Sequence, residues 1–245
     1  MMPFRVAVCT YNRAARLPGL ISALRNQDCP IPFELLVIDN NCTDTTHRVV
    51  AELADQPGAP VKYVYEPHQG IVFARNRAIE ECLEADYMAF IDDDELAEPG
   101  WLRAAYQALH DEGAECAGGR IEVPITTKAR PSWLTDELLG FLGRVDYGQR
   151  PIWITSGDTP VWSGNVAYRM SLFRESGLRF DSRYNRAGQG IGGGEDATLF
   201  KTLVARAVKI RYRPDMIINH LVEPGKIRRT YFLKLHFLAG RKFGQ

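Results

Sequence analysis

One pattern governs the first half of this chain: a short apolar run stops at a knot of polar residues, and a stretch of helical apolar spacing follows. Phe4 to Cys9 stops at Thr10-Tyr-Asn-Arg13 and leads into Leu17 to Arg25. Phe33 to Ile38 stops at Asp39-Asn-Asn-Cys-Thr-Asp44 and leads into a helix from about Thr45 to Gln56. Val61 to Tyr65 precedes a helix over Gly70 to Leu83, and Tyr87 to Ile91 precedes Asp92-Asp-Asp-Glu95 and a helix over Trp101 to Asp111. Apolar runs of this length suit strands buried on both faces. Strands alternating with helices require right-handed crossovers, hence an α/β fold with a mainly parallel central sheet and helices on both faces. Ligands bind such sheets beyond the carboxyl ends of the strands, so Thr10 to Arg13, Asp39 and Asp92 to Asp94 are expected along one rim.

The acids from Asp92 to Glu95 stand together with no intervening base, and they repel one another unless something positive sits there. A hard divalent cation that takes oxygen ligands and leaves positions for phosphates is one solution. A solvated acidic turn ahead of the helix near Pro99 is another. No GxGxxG follows the first strand, and the GxxxxGK signature of a phosphate loop is absent, which disfavours dinucleotide-binding and P-loop readings.

Beyond residue 111 the pattern loosens. Cys116 to Val123, Ile152 to Ile154, Trp162 to Arg169, Lys209 to Tyr212 and Ile217 to His220 read as strands, and residues 128–162 as a long excursion holding a short amphipathic helix. Excursions of that length tend to be functional or mobile. Gly188-Gln-Gly-Ile-Gly-Gly-Gly194 reads as a flexible loop leading into Glu195-Asp196 and a helix over Ala197 to Ala205. Glycine there lets backbone and substrate approach closely. The last stretch sets Tyr231, Phe232, Leu235, Phe237 and Leu238 among Lys226, Arg228, Arg229, Lys234, Arg241 and Lys242. It reads either as a helix packing its apolar face on the domain or as a basic amphipathic helix in peripheral contact with an anionic membrane.

Thirty Lys plus Arg against thirty Asp plus Glu leave no global field for nucleic acid, so none is expected as a partner. Five cysteines without CxxC spacing read as reduced thiols of a cytoplasmic protein, not as a disulfide frame or zinc site. The start of the chain lacks a secretory apolar region, and no run of about 18 apolar residues occurs to span a bilayer. At 245 residues and 45% hydrophobic content, one large α/β domain is expected. The abrupt end at Lys242-Phe-Gly-Gln245 suggests a natural chain that runs on.

Taken in order, Thr10-Tyr-Asn-Arg13, Val37-Ile-Asp39, Ala74-Arg-Asn-Arg77, Asp92-Asp-Asp94 and Gly194-Glu-Asp196 resemble the family 2 glycosyltransferases. These are inverting enzymes of the GT-A fold that use nucleotide-activated sugars, and the resemblance covers roughly residues 4 to 220. It implies a single GT-A, Rossmann-like catalytic domain over 1–224, with a nucleotide-binding half to about residue 117, an acceptor-binding half from 118 and a small acceptor-side excursion. Residues 225–245 then form a basic amphipathic tail. The resemblance implies that Thr10, Tyr11 and Arg13 border the nucleotide, with Tyr11 close to the base, that Asp39 hydrogen-bonds the base, usually uracil, and that Arg75 lies near the nucleotide. Asp92 corresponds to the ribose-side carboxylate of the D-x-D motif, Asp93 supports it, and Asp94 matches the ligand of Mn²⁺ or Mg²⁺. His220 is a second candidate metal ligand. Asp196 corresponds to the catalytic base with Glu195 beside it, and Ser163-Gly164-Asn165 resembles the segment that meets donor sugar and acceptor. The implied partners are a nucleotide sugar, UDP-sugars first, and a glycan or lipid-linked acceptor at the cytoplasmic face of a membrane.

The residue types suit that chemistry. A metal bridging phosphates to Asp94 offsets charge on a departing nucleoside diphosphate, and a carboxylate on the opposite face takes the proton of the attacking hydroxyl. One base and a single displacement give inversion. From the residues alone, Asp39 and Asp196 could equally cap the helices that follow them, and Arg75 could pair with a surface carboxylate. A metal-dependent nucleotidyltransferase lacks its glycine-rich basic signature here, and a non-catalytic nucleotide-sugar or glycan-binding module is disfavoured by the presence of both acidic motifs.

Overall fold

A computed structural model describes residues 3–126, 129–185 and 194–243, with the side chains of the final helix described as far as residue 237. Its nucleotide-side half follows the sequence pattern closely. Strands β1 (Phe4–Thr10), β2 (Phe33–Asp39), β3 (Val61–Tyr65) and β4 (Tyr87–Asp92) run parallel in the order β3-β2-β1-β4. Val6, Ala7 and Val8 are fully buried, as are Leu35 to Ile38, because the two faces of a central strand are both covered. Helices α1 (Leu17–Arg25), α2 (Thr46–Ala54), α3 (Ile71–Cys82) and α4 (Trp101–His110) make the crossovers. Strand register aligns the polar ends: Thr10 stands opposite Asp39, and Cys9 opposite Asp92. The rim expected from the parallel topology is therefore present.

Beyond β4 the sheet becomes mixed. Strand β8 (Asn165–Arg169) runs antiparallel to both β4 and β6 (Cys116–Glu122), while β9 (Ile210–His220) is parallel to β6 and antiparallel to β5 (Glu95–Ala97) and β7 (Ile152–Ile154). The mainly parallel expectation thus describes the first half of the sheet. The two late strands expected from the sequence are one strand with a bulge. Arg213 pairs with Gly119 and Ile217 with Arg120, so Pro214 to Met216 loop out where proline has no N–H to give the ladder. A Cβ on Gly119 would lie 1.9 Å from the Met216 carbonyl oxygen, so only glycine accepts the bulged backbone.

Strand β5 follows directly on the acidic turn. Its three residues pair with the end of β9, setting Glu95 opposite His220, and Leu221 N–H donates to the Asp94 carbonyl at 2.7 Å. This short pairing carries the end of the chain back to the acidic turn.

The remaining helices are α5 (Ser171–Ser176), α6 (Glu195–Ala205) and α7 (Arg229–Phe243). The excursion forms a 3-10 turn over Asp136–Leu142, and a second apolar cluster joins Val123, Leu134, Leu139 and Leu142 to Phe232 of α7. Trp133 meets Phe232 edge-on at 5.1 Å. Helix α7 therefore packs one side on the excursion, while Leu233 and Phe237 remain 71% and 66% exposed. All five cysteines are free. Among the described residues, no helix is long and apolar enough to cross a membrane.

Candidate active site

The rim of β1 and β2 is built on two left-handed residues, Asn12 (φ 52°) and Asn41 (φ 59°), a conformation that asparagine tolerates better than most residues. Asn12 Oδ1 accepts from Thr43 N–H at 2.7 Å, and Asp44 accepts from Ala14 N–H at 3.1 Å and Thr46 N–H at 3.0 Å, so the two turns lock together. The β1 turn aims Arg13 across the end of β4. Its Nη1 donates to Asp93 Oδ1 at 2.7 Å and Asp94 Oδ2 at 3.0 Å. Thr10 is 2% exposed and donates its hydroxyl to Asp93 Oδ2 at 2.8 Å, so it holds the acidic turn from inside the wall.

Asp39 is likewise only 2% exposed. Cys42 N–H donates to its Oδ1 at 2.7 Å and Tyr63 O–H to its Oδ2 at 2.8 Å. Asp44, not Asp39, meets the first turn of α2. Thr10 and Asp39 both hydrogen-bond within the protein, and a base reaching Asp39 must share oxygens already engaged.

The self-repelling acids are separated by the protein's own cations. Arg13 and Thr10 hold Asp93. Asp94 Oδ2 lies 3.8 Å from His220 Nε2, 3.8 Å from Lys226 Nζ and 3.9 Å from Arg16 Nη1, besides its bond to Arg13. Burial pushes the Asp94 pKa up, but His220, Arg13 and Lys226 outweigh it and hold the group well below the ordinary carboxylate range. Burial raises Asp93 in spite of Arg13 and Thr10. Burial and then the charge of Asp92 lift Glu95 well above the ordinary value, and its Oε2 accepts from Asp92 N–H at 2.9 Å. Asp92, with 38% of its side chain open to the cleft, is raised by burial against the opposing charge of Arg75.

Arg75 is the pivot between the two halves of the site. Gly70, at φ 139°, starts α3; a Cβ there would lie 2.1 Å from Asn185 Oδ1. Buried Ala74 and Ala78 seat the helix on the sheet and leave Arg75 4% exposed. Its guanidinium donates to Asp196 Oδ1 at 2.5 Å, Glu195 Oε1 at 3.2 Å and Asp92 Oδ1 at 3.4 Å, and stands 5.5 Å over the Phe180 ring. The sequence reading put Arg75 beside the nucleotide; here its closest partner is the candidate base.

Asp196 is the second residue of α6, whose N-cap is Gly194 with no side-chain cap bond, so the capping alternative falls away. Ser163 Oγ donates to Asp196 Oδ1 at 2.5 Å. Among the described residues Oδ2 accepts no hydrogen bond, and it belongs to a side chain 22% exposed. The loop expected over Gly188 to Gly193 lies outside the described residues.

The Ser163-Gly164-Asn165 segment divides its labour. A Cβ on Gly164 would lie 2.4 Å from Glu95 Oε1, so any larger residue has to push the buried carboxyl aside. Asn165 is 1% exposed; Trp101 Nε1–H donates to its Oδ1 at 2.7 Å, and its Nδ2 donates to the Arg120 and Met216 carbonyls at 2.8 and 2.9 Å. This amide ties α4, β6 and β9 together.

Asp92, Asp94, Asp196 and His220 line one cleft of about 320 Å³, walled by Phe141 and Trp162. A larger depression, about 410 Å³, lies at the opposite end of β2 around Cys29 to Phe33; Arg25 is its one charged group, so it lacks the means for such chemistry. Arg16, Glu223 and Lys226 were missed in the sequence, since nothing in their spacing reveals that β5–β9 pairing brings the strap after His220 to Asp94. His220 Nδ1 donates to the Leu142 carbonyl at 2.8 Å, which fixes the ring with Nε2 turned toward Asp94.

A divalent metal can be tested against these groups. Among the described residues no three His, Cys, Asp or Glu side chains converge as a ready cage. Asp94 and His220 supply an anionic oxygen and an oriented imidazole nitrogen, a partial donor set that fits a cation completed by phosphates and water.

The fold is that of the GT-A glycosyltransferases. The structure of S. aureus TarS 1–349 in complex with UDP-GlcNAc matches it with a TM-score of 0.68 at 19% identity, over 91% of this chain and 59% of that one. The mannosyltransferase PcManGT from Pyrobaculum calidifontis, in complex with GDP-Man and Mn²⁺, matches with a TM-score of 0.66 at 18% identity, over 95% and 59%. Residues 5–177 match the family described as glycosyl transferase family 2, and the chain belongs to that family of sugar-transferring enzymes. Among its relatives is the succinoglycan biosynthesis protein ExoM of Rhizobium meliloti, 26% identical over 98% of this chain and 74% of ExoM.

Proposed function

We propose that this chain is a metal-dependent, inverting glycosyltransferase that moves a sugar from a nucleotide sugar, UDP-sugars first, to an acceptor hydroxyl in polysaccharide or glycoconjugate assembly. The observation that carries this is a single cleft in which the Asp94–His220 pair and Asp196, whose Oδ2 accepts no hydrogen bond from the described residues, are walled by Phe141 and Trp162. The UDP-GlcNAc bound to TarS, the GDP-Man and Mn²⁺ bound to PcManGT and the succinoglycan role in the name of ExoM support the donor, metal and pathway class.

Asp94 and His220 would hold Mn²⁺ or Mg²⁺, which when bound would offer Lewis-acid stabilisation to the leaving diphosphate. Asp196 Oδ2 takes the proton of the acceptor hydroxyl, while Ser163 and Arg75 fix its other oxygen and so its angle of approach. The acceptor oxygen bonds to the anomeric carbon as the carbon–oxygen bond to the diphosphate breaks, and the electron pair leaves with the nucleoside diphosphate. One displacement inverts the anomeric centre. Asp92, open to the cleft beside Arg75, is suited to the ribose side, and Tyr11 and Arg13 border the nucleotide. On this reading residues to about 117 bind the nucleotide and 118–224 the acceptor, and the tail reaches the site only at its start, through Lys226 beside Asp94.

Exposed Leu233 and Phe237 beside Lys234 suit a peripheral contact with an anionic membrane. Sedimentation with phosphatidylserine vesicles tests this, since Leu233→Asp/Phe237→Asp must release the protein; retention refutes the contact. For the activity, calorimetry with UDP and Mn²⁺ is the test. Asp94→Ala is expected to weaken binding by about tenfold or more, in the range of a lost charge-assisted ligand. Equal affinity for wild type and variant counts against the reading.

A further inference from the structure

The strap that follows β9 carries an acid and a base three residues apart, and both reach the same corner of the cleft. Glu223 Oε1 accepts from Arg16 Nη2 at 3.0 Å and lies 3.7 Å from Arg13 Nη2. Lys226 Nζ stands 3.8 Å from Asp94 Oδ2. Arg16 Nη1 is buried, has no hydrogen-bond partner among the described residues and sits 3.9 Å from that same oxygen. A buried guanidinium N–H without an acceptor costs free energy unless a ligand supplies one. Of the acids facing these cations, Asp93 and Asp94 keep 8% and 11% of their side-chain surface, whereas Glu223 keeps 48%. Glu223 is the acid free to move.

We propose that Glu223 is a resident anion, holding Arg13 and Arg16 until the diphosphate of the nucleotide displaces it and takes Arg16 and Lys226 as its own donors. This rests on reading the cleft as a nucleotide-sugar site. The strap exchanges its acid for its base: Glu223 swings off the arginines and Lys226 turns from Asp94 to phosphate. Its backbone is held by Leu221 N–H on the Asp94 carbonyl, by Lys226 N–H on the Glu223 carbonyl and by Val222 and Ile227 on the second apolar cluster, so the rearrangement is confined to the side chains of Glu223 and Lys226. A carboxylate and a phosphate oxygen compete for the same guanidinium geometry, which is why one can stand in for the other.

The test is calorimetric titration of UDP and GDP, each with Mn²⁺, into the full chain, Glu223→Gln, Arg16→Gln and the double variant, with uridine as the phosphate-free control. Removing the competing acid breaks an exposed ion pair and tightens diphosphate binding by about threefold. Arg16→Gln weakens it by about tenfold. In the Arg16→Gln background the gain from Glu223→Gln disappears, because its target is gone, and uridine affinity is the same throughout. Unchanged or weaker binding by Glu223→Gln, a gain that persists without Arg16, or equal shifts for uridine overturns the inference while leaving the donor site intact. Wild type that binds neither UDP nor GDP overturns it together with the proposed function.

Discussion

Replacing Arg75 with Met removes the cation that touches Asp196, Glu195 and Asp92, at 2.5, 3.2 and 3.4 Å. Breaking a buried ion pair from one side costs about 3–5 kcal/mol, because the remaining charge stays desolvated. The three carboxylates are not equally buried: Glu195 keeps 6% of its side-chain surface, Asp196 22% and Asp92 38%. Water reaches Asp92, and its share is discounted for screening. The contact over Phe180 adds under about 1 kcal/mol. A net loss of about 2–4 kcal/mol at pH 7 follows, to be measured by urea unfolding. The loss depends on pH with a definite sign. Burial already raises Asp92 above its ordinary pKa against Arg75, and removing Arg75 raises it further. A carboxyl whose folded pKa is raised binds more protons folded than unfolded between the two values, so stability falls as pH rises through that window. The deficit of Arg75→Met is therefore largest near neutrality and shrinks toward acid. A variant within about 0.5 kcal/mol of wild type at pH 7, or a deficit that grows on acidification, refutes the pivot role.

Asn165→Leu strands the Trp101 N–H and two carbonyls, and a loss of about 2–4 kcal/mol with unchanged donor affinity is expected; weakened donor binding at full stability reverses the structural assignment. Gly164→Ala drives a methyl into Glu95 and costs about 1–3 kcal/mol, partly recovered by Glu95→Ala in the same chain, as thermal denaturation of the pair would show. Asp44→Ala costs about 1 kcal/mol at pH 7, reduced by exposure. Burial is outweighed there by the Thr46 hydroxyl and the Ala14 and Thr46 N–H groups, so the folded pKa is depressed; the contribution is complete above the ordinary carboxylate value and is lost as pH falls from there through the depressed folded value. Phe232→Ala opens the second apolar cluster at about 3 kcal/mol locally, read as faster hydrogen exchange across 229–237 with β1 to β4 unaffected.

The sequence made the rim legible because parallel strands end in register, so the apolar runs alone place Thr10, Asp39 and Asp92 on one edge. What it could not convey was which way each polar group turns. Thr10, Asp39 and Asn165 are each 2% exposed or less and turn their polar atoms to partners inside the wall. Burial of this kind depends on distant partners such as Tyr63, Trp101 and Met216, and no local periodicity encodes them. Arg75 shows the same limit in the other direction, since its contacts to Glu195 and Asp196 arise from α6 folding back across the sheet. Strand β5, three residues long, carries too little pattern to be foreseen, and with it went the approach of Arg16, Glu223 and Lys226 to Asp94.

The division of the cleft, leaving group held at Asp94 and proton taken at Asp196, is tested most directly by measuring donor affinity and turnover together in Asp196→Asn. The amide still accepts from Ser163 but cannot take a proton. Donor affinity within about threefold of wild type with turnover reduced by about 10²–10⁴ is the expected result. Transfer at the wild-type rate, or loss of donor binding along with turnover, would contradict the account.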